Sequence, residues 1–304
     1  MNINELRLFL NRIDTSEDGS IKLSFLDKRK NGLTAYVPIL ENGLKESLKN
    51  LYITALENNV FTYEQSAYDE LGRVDDTLEV ATLEVGNISD IIDSIYLQEN
   101  QCYDLEKMRI DRINFYVVKM KIQDEAVYFF RRFNKQKKLR KGLRGRFNGN
   151  TFVQLQEQVV GIEDDIDIIV YKDEALIINR YALQTIFDLS DYFLGKTDQA
   201  MRVMESYKKI NNFEQFEMDC KNDGTAIKRL TKIVNTPELI AGFFDHIHQL
   251  PSVINDVQLI ITIDSNGNIN YSGTREERTQ ILSCIADKYY ITLLQGKVGE
   301  DKLK

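Results

Sequence analysis

Polar and apolar residues largely alternate over "SIKLSFLDK" (20–28), and "LTAYVPIL" (33–40) is a short apolar run; the two predict strands joined by the polar turn "KRKNG". In "NGLKESLKNLYITALEN" (42–58), Leu44, Leu48, Leu51 and Ala55 recur at helical spacing, which predicts a helix. "TLEVATLEV" (77–85) alternates as a strand does, and "NISDIIDSIYLQ" (87–98) predicts a short helix capped by Asn87 or Ser89. From about residue 110 the strand signal strengthens. "RINFYVVKMKI" and "EAVYFFRRF" form one hairpin around "QDE". "TFVQLQEQVV" follows, and "DIDIIVY" and "EALIINR" form another hairpin around "KDE".

Beyond Arg180 the period changes to 3.6. Helices are predicted over "YALQTIFDLSDYF", "DQAMRVMESYKKI", "NFEQFEMDCK", "GTAIKRLTKIV" and "TPELIAGFFDHIHQL", the last entered through Thr236 and Pro237. "VQLIITID", the turn "SNGN" and "INYSG" predict a hairpin, and "REERTQILSCIADKYY" a closing helix. The fold class is α+β: an N-terminal mixed α/β part, then a β-rich sheet with a helical C-terminal half. The expected division is an N-terminal α+β domain over 1–109, a core domain over 110–296 and a flexible tail over 297–304.

Composition describes a globular chain: 304 residues, 43 % hydrophobic and 28 % charged, enough for one large or two medium domains. Three dispersed cysteines, Cys102, Cys220 and Cys284, suggest a reducing compartment and no disulfide framework. "MNINELRLFL" lacks the form of a signal peptide, and runs such as "VQLIITI" are too short to span a bilayer. A cytoplasmic location is expected, with any membrane contact made through a partner. Only two histidines exist, His246 and His248, two apart in "FFDHIHQLP". That spacing splays them on a helix, so they read as partly exposed helical residues, and a Ser-His-Asp or Cys-His arrangement is nearly excluded.

Charge distribution changes the picture most. Arg131, Arg132, Lys135, Lys137, Lys138, Arg140, Lys141, Arg144 and Arg146 place nine cations in sixteen positions with no acid among them. The chain as a whole has 39 basic and 47 acidic residues, a net of −8; without these nine, 30 basic residues face 47 acidic ones, a net of −17. A solubilising surface mixes signs, so this segregation favours contact with a polyanion. Five of the nine are arginines, whose planar fork grips phosphate, and Gly142, Gly145 and Gly149 allow close backbone approach. Solvation alone, or an acidic protein or lipid surface, are the competing readings.

Other motifs carry less. "LGKTD" (194–198) has Ser190 where a P-loop needs glycine and follows a helix, so it reads as a helix-to-helix turn. "DSNGNIN" (264–270) has its glycine fourth and Arg275 at the twelfth position, which an EF-hand does not permit, and reads as a hairpin turn. Glu163, Asp164, Asp165, Asp167, Asp173 and Glu174 are six carboxylates in twelve positions that could hold Mg²⁺ for a nuclease. The order of Lys172 and its acids departs from the usual nuclease arrangement. Turn residues, or an acidic strip that partly neutralises the basic segment, explain the cluster with less. No catalytic residue, cofactor or metal site is assigned.

The order of features in "NTFVQLQEQVVGIEDDIDIIVYKDEALIINRYALQTIFDLSDYF" (150–193) is a strand, an acidic run, an apolar strand, a hairpin into "LIINR" and a helix. It resembles the KwaB-like proteins of the Kiwa anti-phage defence system, over roughly residues 110 to 295. The resemblance implies a cytoplasmic DNA-binding protein that acts with a small membrane-embedded partner, KwaA, to restrain phage replication and transcription. It supplies no residue motif for DNA contact, and the nine cations are assigned from charge alone. The resulting expectation is a non-catalytic protein that binds double-stranded DNA non-specifically through residues 131–146. Pairing into a homodimer would lengthen the basic track. A metal-dependent nuclease and a pure protein-interaction subunit are the alternatives.

Overall fold

The computed structural model describes residues 1–15, 19–29, 32–99, 105, 108–133, 145–148, 151–154, 160–291 and 298–300. Compactness divides the chain into two units, residues 1–66 with 76–188, and residues 67–75 with 189–304.

The first unit is built in chain order from α1 (Ile3–Thr15), β1 (Ser20–Arg29), β2 (Gly32–Tyr36), α2 (Asn42–Asn59), β3 (Glu64–Ala67), β4 (Thr77–Thr82) and α3 (Ile88–Gln98). β5 (Phe115–Ile122), β6 (Glu125–Arg132), β7 (Gly145–Asn148), β8 (Thr151–Gln154), β9 (Ile168–Tyr171), β10 (Glu174–Ile177) and α4 (Arg180–Ile186) follow. Eight strands form one sheet in the order β2-β1-β5-β6-β9-β10-β4-β3. Pairing is antiparallel from β2 through to β4, while β7 and β8 form a separate antiparallel hairpin. Phe115–Met120 of β5 are all buried, as a central strand with both faces covered requires.

One face carries Tyr116, Val118, Met120, Val127, Phe129 and Ile169 against Leu6, Phe9 and Leu10 of α1 and Leu48, Tyr52 and Leu56 of α2. On the opposite face Phe130 meets Phe115 and Phe187, with ring centroids 6.2 and 5.1 Å apart. Each fully buried side chain of this size contributes about 1.5–3 kcal/mol relative to exposure. α3 is tied to the edge strand β2 by Gln98, whose amide donates to the Leu33 carbonyl and accepts from the Ala35 N–H, both at 2.7 Å.

The second unit contains α5 (Leu189–Ser206), β11 (Ile210–Asn211), α6 (Phe213–Lys221), α7 (Gly224–Asn235), α8 (Pro237–Asp245), α9 (Leu250–Val257), β12 (Thr262–Ile263), β13 (Ile269–Asn270), α10 (Arg275–Ile285), β14 (Tyr289–Ile291) and β15 (Val298–Glu300). Phe216, Leu230, Ile240, Ile269, Ile281 and Leu282 centre its core. Asp223 caps α7 by accepting from Thr225 and Ala226 N–H. Thr274 caps α10 by accepting from Glu277 N–H, and the Glu277 carboxylate accepts from Ser272 N–H and Oγ, which ties the incoming chain to the helix start.

The α+β class is as the sequence reads, with several differences in detail. Leu6, Phe9, Leu10 and Ile13 form the buried face of α1, a helix the sequence reading leaves unassigned. The buried face of α2 is turned by about one position: Tyr52 and Leu56 are buried, while Leu44 is 45 % exposed. "YALQTIFDLSDYF" is broken at Phe187–Asp188, where Asn87 Oδ1 accepts the Asp188 N–H, so it contributes to two helices. Gly195, Lys196 and Thr197 lie inside α5 and form no turn between helices, with Thr197 fully buried. Val257, the first residue of "VQLIITID", ends α9, Gln258 caps it, and only Thr262–Ile263 pair as a strand. Val298–Glu300, read as flexible tail, pair with β14; residues 301–304 lie outside the described residues. The division expected between residues 109 and 110 falls inside the first unit, where β1 pairs with β5 from Ser20↔Lys121 to Leu26↔Phe115.

Candidate nucleic-acid interface

The basic segment begins at the end of β6, and the structure describes how its first two arginines are held. Hydrogen bonding in the β6–β9 pairing leads into Asp167, whose N–H donates to the Phe130 carbonyl at 2.9 Å. The Asp167 carbonyl accepts from the N–H groups of Ile178 and Asn179, both at 3.0 Å, so the residue is fixed from both sides. Asn179 in turn caps α4 through Ala182 N–H.

The Asp167 carboxylate, 1 % exposed, accepts from Arg131 Nη1 at 3.0 Å, from Arg132 N–H at 2.8 Å and from Arg132 Nε at 3.3 Å. Arg131 Nη2 also donates to Glu163 at 2.8 Å and Asp165 at 2.7 Å. Burial opposes the charge on Arg131, but Glu163, Asp167 and Asp165 outweigh it and hold the guanidinium pKa above its ordinary value. The Arg132 guanidinium also lies 4.9 Å from the Tyr181 ring centroid, a cation–π contact from the first turn of α4. Arg131 Nε is buried with no hydrogen-bond partner among the described residues.

Three of the six clustered carboxylates, Glu163, Asp165 and Asp167, thus converge on Arg131. The acidic strip does compensate part of the basic segment, at its first two residues. Asp173 sits exposed in the β9–β10 turn, where Lys172 takes positive φ. Among the described residues no three His, Cys, Asp or Glu side chains are grouped to hold a metal ion.

Lys135, Lys137, Lys138, Arg140, Lys141 and Arg144 lie outside the described residues. Arg146 is described by its backbone alone, in β7 opposite Val153 of β8. The described parts therefore join β6 to the β7–β8 hairpin through the most cationic stretch of the chain. Sequence reasoning counted Arg131 with the other eight cations, because charge alone does not reveal that three acids about 35 positions later fold onto it. Tyr181 was also missed, although an aromatic just inside a helix that follows "IINR" is visible in the sequence.

His246 and His248 fall at the break between α8 and α9 and are exposed, with ring centroids 6.2 Å apart. His246 Nδ1 is 2.9 Å from the Gly242 carbonyl. Among the described residues no helix is long and apolar enough to cross a membrane.

Fold and site together define an α+β protein with a broad sheet and a cationic segment whose start is anchored at one strand end by carboxylates from later in the chain. Residues 110–295, more than half of the chain, match the family model described as Kiwa protein KwaB-like, and the chain belongs to the KwaB-like family. It is therefore a component of a Kiwa anti-phage defence system. No curated protein and no solved structure matches the chain.

Proposed function

We propose that this chain binds double-stranded DNA non-specifically through the segment Arg131–Arg146 and, as an obstacle and not as a catalyst, blocks phage replication and transcription. The observation that carries the reading is charge segregation: nine cations and no acid in sixteen residues of a chain that is otherwise at −17. Phosphates attract such a segment, and the anionic remainder turns it toward them. Arg131 acts as the anchor of the segment, since three carboxylates occupy its guanidinium. The cations from Lys135 to Arg146 contact phosphate, and few contacts fall on base edges. A small membrane-embedded KwaA-like partner draws the protein, otherwise cytoplasmic, to the inner face of the membrane, and two copies joined as a homodimer extend the basic track.

The test is a titration of duplex DNA into the wild type and a Lys137→Glu/Lys138→Glu/Arg140→Glu variant at several salt concentrations, with and without Mg²⁺. If about five cations meet phosphate, log affinity falls with log salt at a slope near −4.5. The variant binds weakly at every salt concentration. Salt-insensitive binding, or wild-type affinity in the variant, overturns the reading. Mg²⁺-dependent cutting that is lost on Asp165→Ala or Asp167→Ala would place the protein among nucleases.

A further inference from the structure

The first unit holds a second concentration of positive charge, at the opposite end of β5 from the arginine clamp and built by strand register. Lys22 on β1 stands directly across from Lys119 on β5, and Lys121 stands across from Ser20, so all three lysines point from the same face of two neighbouring strands. Like charges in directly opposed cross-strand positions are destabilising, so a sheet selected for pairing alone would place opposite charges there.

One carboxylate answers two of the three. Glu99, just past the end of α3 and 4 % exposed, accepts from Lys22 Nζ at 3.1 Å and from Lys119 Nζ at 3.0 Å. Lys119 is itself 5 % exposed and lies 5.2 and 5.4 Å from the ring centroids of Tyr96 and Tyr128. The Lys121 ammonium has no hydrogen-bond or ion-pair partner among the described residues. Lys22, Tyr96, Glu99, Lys119 and Lys121 surround an open recess of about 490 Å³ that Ser20 and Gln123 complete. Its lining carries three ammoniums and one carboxylate; Asp93, which lies within electrostatic reach of Tyr128, is not part of it. Burial, and then repulsion from Lys22 and Lys121, work against the charge on Lys119, which a bound anion would relieve.

We propose that this recess is a binding site for the terminal phosphate of a mononucleotide. A phosphoryl group with a charge of about −1.5 to −2 matches the two cations left uncompensated. It would lie against Lys121 and the exposed side of Lys22, with the Ser20 hydroxyl and the Gln123 amide as neutral donors. Tyr96, half exposed on the rim, offers a ring face on which the base stacks. The recess is large enough for a ligand of that class. This site shares no residue with the segment Arg131–Arg146, and its fate is separable from that of the DNA reading.

The experiment is isothermal titration of the full-length chain at low salt, without Mg²⁺, using ATP, inorganic pyrophosphate and a dT20 oligonucleotide as three separate probes. Wild type is expected to bind ATP and pyrophosphate, and Lys121→Ala to weaken both at least about tenfold. Tyr96→Ala should weaken ATP while leaving pyrophosphate unchanged. The Lys137→Glu/Lys138→Glu/Arg140→Glu variant should bind ATP as wild type does. A circular-dichroism melt of each variant confirms that the fold is kept, and Lys121→Gln serves where the alanine variant does not fold. Absence of ATP binding at millimolar concentration overturns the proposal. So does ATP binding that survives Lys121→Ala and Tyr96→Ala, or is lost with the basic segment. Binding of dT20 alone, sensitive to Lys121→Ala, would overturn it in favour of a nucleic-acid track.

Discussion

Asp165 and Asp167 grip the same guanidinium at 2.7 and 3.0 Å, yet the first side chain is 66 % exposed and the second 1 %. That contrast yields a sharp prediction. Removing one member of a buried charge pair costs about 3–5 kcal/mol, because the other charge is left desolvated. Asp167→Ala also strips a partner from Arg132 N–H and Nε. Arg131 keeps Glu163 and Asp165, so the lower end applies, a loss of about 3 kcal/mol. At roughly 2–4 °C per kcal/mol for a unit of this size, the melting temperature falls by about 6–12 °C. An exposed pair is worth at most about 1 kcal/mol, so Asp165→Ala should cost less than that. Urea denaturation followed by circular dichroism gives both values. A double-mutant cycle with Arg131→Ala should report a coupling to Asp167 of at least about 1 kcal/mol. Equal losses for the two aspartates would refute the reasoning, since burial would then not be what separates them.

Three further outcomes are expected. Gly195→Ala should raise stability by about 0.5–1 kcal/mol in urea denaturation, because the residue sits within α5 and a Cβ there meets nothing within 4 Å; destabilisation would restore the turn assignment. N–H donors of Asn268, then the amide of Asn211 and the N–H of Asn266, hold the Asp264 carboxyl below its ordinary 3.8. A depressed carboxyl contributes stability above its unfolded pKa and loses it as pH falls through the folded value. The urea midpoint should therefore fall more steeply below pH 4 in wild type than in Asp264→Asn. Burial pushes the Cys220 and Cys284 thiols up to about 12, so in a Cys102→Ser background a disulfide reagent at pH 8 should react slowly with both until denaturant is added; rapid reaction in the native protein counts against this.

The fold was legible wherever one face of an element decides its pattern. "RINFYVVKMKI" and "EAVYFFRRF" read as a hairpin because a buried strand with a two-residue turn leaves a strong local signal, and β5, β6 and Gln123 at positive φ follow it. The chain could not announce partners distant in sequence. "YALQTIFDLSDYF" keeps a helical period across Phe187 because both flanking helices bury apolar faces, and the interruption comes from Asn87, about a hundred residues earlier. The site divides in the same way. The nine cations are visible as composition, but the engagement of Arg131 depends on which strand lies beside β6. Likewise "SIKLS" shows one lysine and "VVKMKI" two at alternate positions, and only the β1–β5 register brings Lys22 opposite Lys119.

The strand order has a consequence for synthesis and for cutting the protein into pieces. β1 and β2 sit on one flank of the sheet and β3 and β4 on the other, with β5, β6, β9 and β10 inserted between them. In a nascent chain leaving the ribosome, the flanking pairs β1–β2 and β3–β4 cannot be joined into one sheet until residue 177 has emerged, which gives the unit high contact order and slow folding. The family-matched fragment 110–295 made alone would expose β5 and β10 as raw, apolar edges. Such a fragment should aggregate, and its missing flanks, supplied as a separate polypeptide, should rescue it.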